Sequence, residues 1–185
     1  METPQGWERA QHSWYGVATM IRFDQGMRRF NYRVVAVAIH DGSVLLHRAD
    51  HETFWTLPGG RAEHGETAEQ TIKREMREEL ETDVEVVRLL WLVENFFEYD
   101  GRDCHEIALY FLIRFPENSL PRTCAAFDRI DAGVALRFTW HPVQTDLLMQ
   151  LPLFPVFLPQ ALTELPISVV HIVEREAAAS ATTLE

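Results

Sequence analysis

Three glutamates stand close together in a stretch whose pattern predicts a helix. Glu75, Glu78 and Glu79 fall within an arc of roughly 100° when each helical residue turns the chain by about 100°. Like charges four residues apart on an open helix cost about 0.2–0.5 kcal/mol. Arg74 can pair with Glu78, but one guanidinium cannot neutralise three carboxylates. A hard divalent cation can, because Mg²⁺ prefers oxygen ligands.

The helix that carries these acids has a recognisable start. Thr67 and Gln70 have the spacing of a capping box, which predicts that the helix begins there. Apolar residues recur every four positions and form a buried stripe of Ala68, Ile72, Met76 and Leu80. Glutamates on a helix are usually a solvated face. Here Glu75 and Glu79 border the stripe, and a Pro-Gly-Gly turn at residues 58–60 lies just upstream. The pattern therefore favours a functional site over a solvated helix face.

The same segment resembles the Nudix box. Five residues separate Gly60 from Glu66, and seven more precede the run Arg74-Glu75-Met76, which Glu78 and Glu79 complete. Six residue types at fixed offsets have a chance probability on the order of 10⁻⁷ per start position. Residues 55–59 also resemble the family's entry into the box, which spans residues 60–82.

This box departs from the family pattern at its end. Glu81 replaces the last glycine, and Thr82 stands at the following aliphatic position. Glycine there would relieve a helix end with positive φ, so another residue costs about 1 kcal/mol or shifts the terminus.

The resemblance implies a role for each matching residue. The implied metal-binding acids are Glu75, Glu78 and Glu79, with the carbonyl of Gly59 as a further candidate ligand. Arg74 resembles the arginine that orients the glutamates. Glu66 resembles a carboxylate that ties the loop to the helix, and its alternative as a helix cap stays open. The family varies in which group is the general base.

The chemistry implied by the resemblance is Mg²⁺-dependent hydrolysis of a diphosphate linkage, with Mn²⁺ as a substitute. The metal neutralises the diphosphate and acidifies a bound water, and a carboxylate takes the proton. The expected substrate is a nucleoside triphosphate, a dinucleoside polyphosphate or a nucleotide sugar. The alternative is a Nudix module that senses a nucleotide ligand without hydrolysis. The intact metal-binding set argues against that alternative.

Substrate contacts are expected from residues outside the box. Arg33 and Arg48 could meet phosphates, and Phe54 and Trp55 could stack on a base, although surface and core roles are the ordinary alternatives. One further metal-binding or basic group could come from Glu94, Glu98, His105 or Glu106. Tyr99 stands where dinucleoside polyphosphate hydrolases resemble one another in having a tyrosine, and the proline of ADP-ribose-type members is absent.

Strand patterns surround the helix on both sides. Residues 32–39 and 43–47 are apolar runs separated by Asp41-Gly42, which predicts a hairpin. Residues 84–97 and 106–115 predict two long strands joined through Asp100-Gly101. Shorter strands are predicted at residues 134–140 and 167–173, and helices at residues 141–150 and 154–164. This order predicts an α/β protein, specifically a Nudix-like α/β/α sandwich with a mixed β-sheet. We expect one domain over residues 1–174 and a disordered tail over residues 175–185.

Composition limits the partners. The 185 residues include 17 basic and 28 acidic ones, which gives a net charge of −11. Such a surface repels nucleic-acid polymers and anionic membranes but admits a small nucleotide carried with a cation.

Cys104 and Cys124 have no metal-site spacing and are expected to be inert. The absence of a signal-peptide pattern predicts a cytoplasmic protein. The apolar stretch of residues 151–158 could cover the core or form a homodimer face.

Overall fold

The computed structural model describes residues 19–131 and 133–176. Within them the strands are β1 (Arg22–Gln25), β2 (Arg28–His40), β3 (Ser43–Ala49), β4 (Gly59–Arg61), β5 (Glu85–Tyr99), β6 (Arg102–Arg114), β7 (Ala126–Asp131), β8 (Val134–Pro142) and β9 (Val170–Arg175). The helices are α1 (Ala68–Leu80), α2 (Leu120–Thr123), α3 (Thr145–Leu148) and α4 (Leu158–Ala161). The strands form one sheet in the order β7-β8-β3-β2-β6-β5-β9, and β2 also pairs with β1 and β4.

The sheet is mixed and has helices on both faces. The β2–β6 and β5–β9 pairs are parallel, and the other pairs are antiparallel. On one face Val34 and Ala36 pack with the apolar stripe of α1, namely Ile72, Met76 and Leu80. On the other face Val35 and Val37 pack with the residues of α3 and α4 and their surroundings, including Leu148, Leu158 and Leu162. The expected α/β/α sandwich with a mixed sheet is confirmed.

The hairpins and the helix start are confirmed as well. The turns between β2 and β3 and between β5 and β6 are Asp41-Gly42 and Asp100-Gly101, with positive φ at all four residues, as tight hairpins require. Thr67 caps α1, and its side chain and that of Gln70 form the reciprocal bonds of a capping box.

The two predicted helices near the carboxyl end are wrong in extent. His141 and Pro142 belong to β8, and only α3 and α4, of four residues each, are helical in those regions. Prolines at 142, 152 and 155 remove backbone donors and interrupt any longer helix. Leu153 and Leu158 are buried on the face of the sheet that carries Val35 and Val37, so the stretch of residues 151–158 covers the core there.

Two strands differ from the sequence expectation at this end of the fold. Strand β7, which pairs with β8, was absent from the sequence prediction because its Phe-Asp-Arg-Ile-Asp run has little apolar content. Strand β9 begins later than predicted and extends to Arg175, one residue into the expected tail. Glu176 then donates its backbone N–H to the carbonyl of Phe96 at 3.0 Å.

Residues 1–18 and 177–185 lie outside the described residues. None of the helices in the described ranges has the length and apolar character needed to cross a membrane.

Candidate active site

Gly59 and Gly60 lie in a strand, not in the turn that the sequence predicts. They pair with Val35 and Val34 of β2, which brings the backbone of β4 directly beside α1. A β-carbon on Gly60 would lie 2.1 Å from the Cδ of Glu75. A β-carbon on Gly59 would lie 2.3 Å from the carbonyl oxygen of Val34. Glycine at position 60 therefore leaves room for the carboxylate of Glu75, and glycine at position 59 allows β4 to lie close to the backbone of β2 at a φ of 135°.

The three box glutamates differ in their surroundings. Glu75 and Glu79 are 8% and 5% exposed, in agreement with their place beside the apolar stripe. The side chain of Glu78 is 52% exposed. The solvated-face alternative therefore fits Glu78 but not the other two.

Arg74 is the hub that holds Glu75, Glu78 and Glu66, and it makes no bond to Glu79 among the described contacts. Its Nη1 donates to Glu75 Oε1 and to Glu78 Oε2, both at 2.8 Å. Its Nε donates to Glu66 Oε1 at 2.8 Å, and its Nη2 donates to the carbonyl of Arg61 at 3.0 Å. The bond from Arg74 holds the pKa of Glu66 below its usual range, and the surrounding acids raise the pKa of Arg74.

Glu66 connects the loop after β4 to α1. Besides its bonds from Arg74, it accepts the hydroxyl of Thr71 and the backbone N–H of Glu63, each at 3.0 Å. The capping position belongs to Thr67. The contacts of Glu66 therefore match the tying function and not the cap.

Glu79 has one paired and one unpaired carboxyl oxygen, because the backbone N–H of Gly59 donates to the carboxyl group. Its Oε2 is buried and has no hydrogen-bond partner among the residues that the structure describes. Burial, with a smaller contribution from the charge of Glu75, raises the pKa of Glu79 to about 8, and Arg33 partly opposes this. Burial also raises the pKa of Glu75, against the lowering effect of Arg74. Two adjacent buried carboxyls resist ionisation here, so a cation would stabilise their charged forms.

The predicted set of four metal ligands is not assembled. Across residues 19–131 and 133–176, no three His, Cys, Asp or Glu side chains converge closely enough to hold a metal ion. Glu78 turns toward Arg74, and the carbonyl of Gly59 accepts a bond from Arg33 Nη2 at 2.9 Å. Glu75 and Glu79 still offer carboxylate oxygens of the kind that hard divalent cations prefer, one of them buried and unpaired. The donor chemistry therefore fits such an ion.

Four residues were predicted to contact the substrate. Of these, only Arg33 lies at the strand β4 and the buried glutamates, where it donates to the carbonyl of Gly59. Its charge lowers the pKa values of Glu75, Glu79 and Glu106. Arg48 instead lies over the ring of Trp55, 5.0 Å from its centroid.

The two aromatic candidates, Phe54 and Trp55, are engaged in packing. The Trp55 ring meets His141 edge-on at 4.8 Å, and its backbone N–H donates to the carbonyl of Pro152. Phe54 meets Tyr99 and Phe154 edge-on at 6.4 and 5.6 Å.

Of the four candidates for an additional acid or base, the structure places one near Arg33. Glu94 contacts His171 at 2.8 Å, Glu98 is exposed, and His105 stacks on Phe96 at 4.4 Å. Glu106 is 8% exposed, burial raises its pKa, and the charges of Arg33 and Arg61 lower it.

Three residues that were not predicted as site residues lie around Glu106, namely Asn31, Asn95 and Arg61. Arg61 Nε donates to Asn31 Oδ1 at 3.1 Å. The available signal was the presence of Asn31 and Asn95 in otherwise apolar strands, at positions that alternate inward with the core residues.

Comparison with known proteins agrees with the geometry. The family model described as the NUDIX domain matches residues 29–151. The chain is 39% identical over 75 residues to the Mycobacterium tuberculosis protein named mutator protein MutT4, covering 40% of this chain and 30% of that protein. It is 39% identical over 67 residues to the 8-oxo-dGTP diphosphatase of Proteus vulgaris, covering 36% of this chain and 56% of that protein. The matches thus span about a third to a half of these relatives.

A solved structure shares the fold. The crystal structure of a UDP-X diphosphatase superposes with a TM-score of 0.52 at 18% identity, covering 77% of this chain and 66% of the other.

Proposed function

The chain belongs to the Nudix hydrolase family, and on that premise we propose that it is a Mg²⁺-dependent pyrophosphohydrolase of small nucleotides. The proposed reaction cleaves the diphosphate linkage of a nucleoside diphosphate joined to another moiety. The observation that carries the proposal is the buried pair Glu75 and Glu79, beside Arg74, with an unpaired oxygen on Glu79.

The proposed roles follow from the contacts of each residue. Glu75 and Glu79 would hold the metal, and Glu78 would join them when it leaves Arg74. A bound divalent cation would neutralise the diphosphate and acidify a water. Arg74 keeps the carboxylates of Glu75 and Glu78 in place, and Glu66 fixes Arg74 relative to the loop. The positive charge of Arg33 lowers the pKa values of Glu75 and Glu79, and the same guanidinium would also attract the phosphates of the substrate.

Glu79 is the group that we propose accepts the proton from water. Its pKa of about 8 means that its carboxyl holds a proton near neutrality when no cation is near. A neighbouring cation would lower this pKa, and the ionised carboxylate could then bind metal or accept a proton from water.

The proposed substrate is a small nucleotide and not a nucleic-acid polymer. The net charge of −11 disfavours long polyanions, whereas a short diphosphate can be neutralised locally by a metal and Arg33. Mn²⁺ has the same preference for oxygen ligands and is expected to substitute for Mg²⁺.

The test is metal-dependent phosphate release across a nucleotide panel, coupled to a phosphatase. The panel contains nucleoside triphosphates, ADP-ribose, nucleotide sugars, diadenosine polyphosphates and a 5′-triphosphorylated oligonucleotide, each with Mg²⁺, Mn²⁺ or EDTA. Glu79→Gln should abolish turnover and retain the fold. Glu69→Gln, on an exposed position of the same helix, is the matched control and should retain full activity.

Each alternative outcome has a defined meaning. Turnover of the oligonucleotide alone would replace the small-nucleotide substrate with an RNA end. Nucleotides that raise the melting temperature without phosphate release would favour a sensing module. Full activity of Glu79→Gln would remove Glu79 from the site.

A further inference from the structure

Four neighbouring strands place polar side chains in a single row across the sheet. Asn31 of β2 is the register partner of Glu106 of β6, and Glu106 is the partner of Asn95 of β5. Asn95 is in turn the partner of Glu174 of β9. Register partners point to the same face of a sheet, so these four side chains form a continuous line. We refer to Asn31, Glu106, Asn95 and Glu174 as the acceptor row.

Three of the four residues of the acceptor row are buried, and one of their acceptor atoms is unpaired. Asn31 and Asn95 are each 4% exposed, and Glu106 is 8% exposed. The Oδ1 of Asn95 has no hydrogen-bond partner within the described ranges. Buried polar groups in native proteins are nearly always paired, so this oxygen is a place where a water or a ligand can donate a hydrogen bond.

The chemistry of the row selects what that ligand must offer. The carboxylates of Glu106 and Glu174 and the amide oxygen of Asn95 all accept hydrogen bonds. Asn31 is already engaged, because its Oδ1 accepts from Arg61 Nε. A phosphate would be repelled by the two carboxylates, whereas a neutral group with several N–H or O–H donors would satisfy the open acceptors.

Arg33 connects the row with the candidate active site. It stands two residues after Asn31 on β2, so its side chain is on the same face as the row. Its Nη2 bonds to Gly59, and its charge acts on Glu75, Glu79 and Glu106. Helix α1 packs on the opposite face, and Arg33 is the residue that spans the two, because it lies on the face of the row and its charge acts on the α1 carboxylates. A substrate whose diphosphate contacts Arg33 would therefore extend its uncharged part over the row.

We propose that the acceptor row reads the hydrogen-bond donors of the nucleoside part of the substrate, and that Glu106 and Asn95 thereby determine which nucleotide is hydrolysed. The donors are the N–H groups of a base edge or the hydroxyls of the sugar, which share the same chemistry. This inference rests on the proposed function. It assigns Glu106 to substrate selection and not to metal binding or proton transfer.

The experiment compares kcat/KM for substrate pairs that differ in donors. GTP and ITP differ by the amino group of the base, and GTP and 2′,3′-dideoxy-GTP differ by the sugar hydroxyls. The variants are Glu106→Gln and Asn95→Leu. Glu94→Gln is the control, since Glu94 adjoins Asn95 on β5 but points to the other face and contacts His171.

The wild type should prefer the donor-rich member of at least one pair by about tenfold or more, because a site built for a donor rejects the analogue that lacks it. Glu106→Gln and Asn95→Leu should collapse that preference, mainly through KM, and Glu94→Gln should preserve it. Collapse of the GTP/ITP ratio identifies base reading, and collapse of the other ratio identifies sugar reading.

Two results would overturn the inference and leave the proposed function intact. The first is hydrolysis with unchanged ratios in both variants. The second is an equal fall in kcat on all substrates for Glu106→Gln, which would place Glu106 in the chemistry. If no nucleotide is hydrolysed, the proposed function fails. The shift in melting temperature that each nucleotide causes is then measured in the wild type and the three variants. Equal shifts in all four proteins would reject the inference that the row selects the bound nucleotide.

Discussion

A β-carbon on Gly60 would lie 2.1 Å from the Cδ of Glu75, so the carboxyl group of Glu75 occupies the space that any larger residue at position 60 would fill. Arg74 holds the same carboxyl, with Nη1 donating to Oε1 at 2.8 Å. Glu75 is thus fixed between a strand backbone and a guanidinium group. The glycine and the arginine of the box act on one and the same carboxylate.

Gly60→Ala should displace the Glu75 side chain and leave the backbone in place, because the clash is with the end of a flexible side chain. We expect the free energy of unfolding to fall by about 1–3 kcal/mol, as for other overpacked sites. Metal-dependent hydrolysis should fall at least about tenfold. Denaturant unfolding and phosphate release measure the two effects.

Gly59→Ala provides the comparison. Its β-carbon would meet backbone atoms of β2, and its φ of 135° disfavours any side chain. It should destabilise the protein more than Gly60→Ala does. Full activity of Gly60→Ala would show that the position of Glu75 is not important for the reaction.

Arg74→Lys keeps the charge but loses the planar fork that reaches Glu66, Glu75 and Glu78 together. We expect a loss of about 1–3 kcal/mol in the free energy of unfolding and a roughly 10–100-fold loss of turnover. Arg77→Lys on the same helix, where the exposed Arg77 contacts only Asp83 among its described ion pairs, should change neither quantity. Similar effects from both substitutions would argue against the role of Arg74 as the hub.

Local patterns predicted the helix and its buried acids because both depend on a short stretch of chain. The capping box at Thr67 and the apolar stripe together place Glu75 and Glu79 against the core, and the structure has them there. The hairpins followed from their Asp-Gly turns for the same reason.

The contacts of Arg33 depend on long-range strand pairing. They result from the pairing of β2 with β4, whose register joins Arg33 to Arg61 across 28 positions of sequence. The acceptor row likewise needs the registers of four strands, one of which, β9, is nearly at the end of the described chain. No short segment contains that information. The pairing of Glu78 with Arg74, in contrast, joins residues four apart on α1, and the sequence already indicated it.

Glu81→Gly should stabilise the protein. Glu81 ends α1 in the left-handed conformation, with φ 53° and ψ 34°, where the family pattern has glycine. Removing the β-carbon should raise the free energy of unfolding by about 1 kcal/mol. Glu81→Ala removes the same carboxylate and its 4.0 Å approach to Arg129 but keeps the β-carbon, so it should not stabilise. Equal stabilities of the two variants in thermal unfolding would contradict this explanation.

The buried carboxyl of Glu79 should make the stability of the metal-free protein depend on pH. Its pKa is raised from 4.5 to about 8 by burial. Below pH 4.5 the group is protonated in both the folded and the unfolded chain. Between these values the unfolded chain releases the proton and the folded chain retains it, so rising pH favours unfolding until both states are ionised.

Glu79→Gln removes this titration. In EDTA the free energies of unfolding of the variant and the wild type should therefore differ little near pH 4.5. As the pH rises toward 8, the wild type should lose stability relative to the variant, and the difference should reach about a few kcal/mol. Denaturant unfolding at a series of pH values measures the difference, with Glu69→Gln as the exposed control. Added Mg²⁺ should restore stability to the wild type but not to Glu79→Gln, because only the carboxylate gains a cation partner. A constant difference across this pH range would mean that Glu79 ionises freely in the folded protein, and the case for a buried cation-binding carboxylate at this position would then be lost.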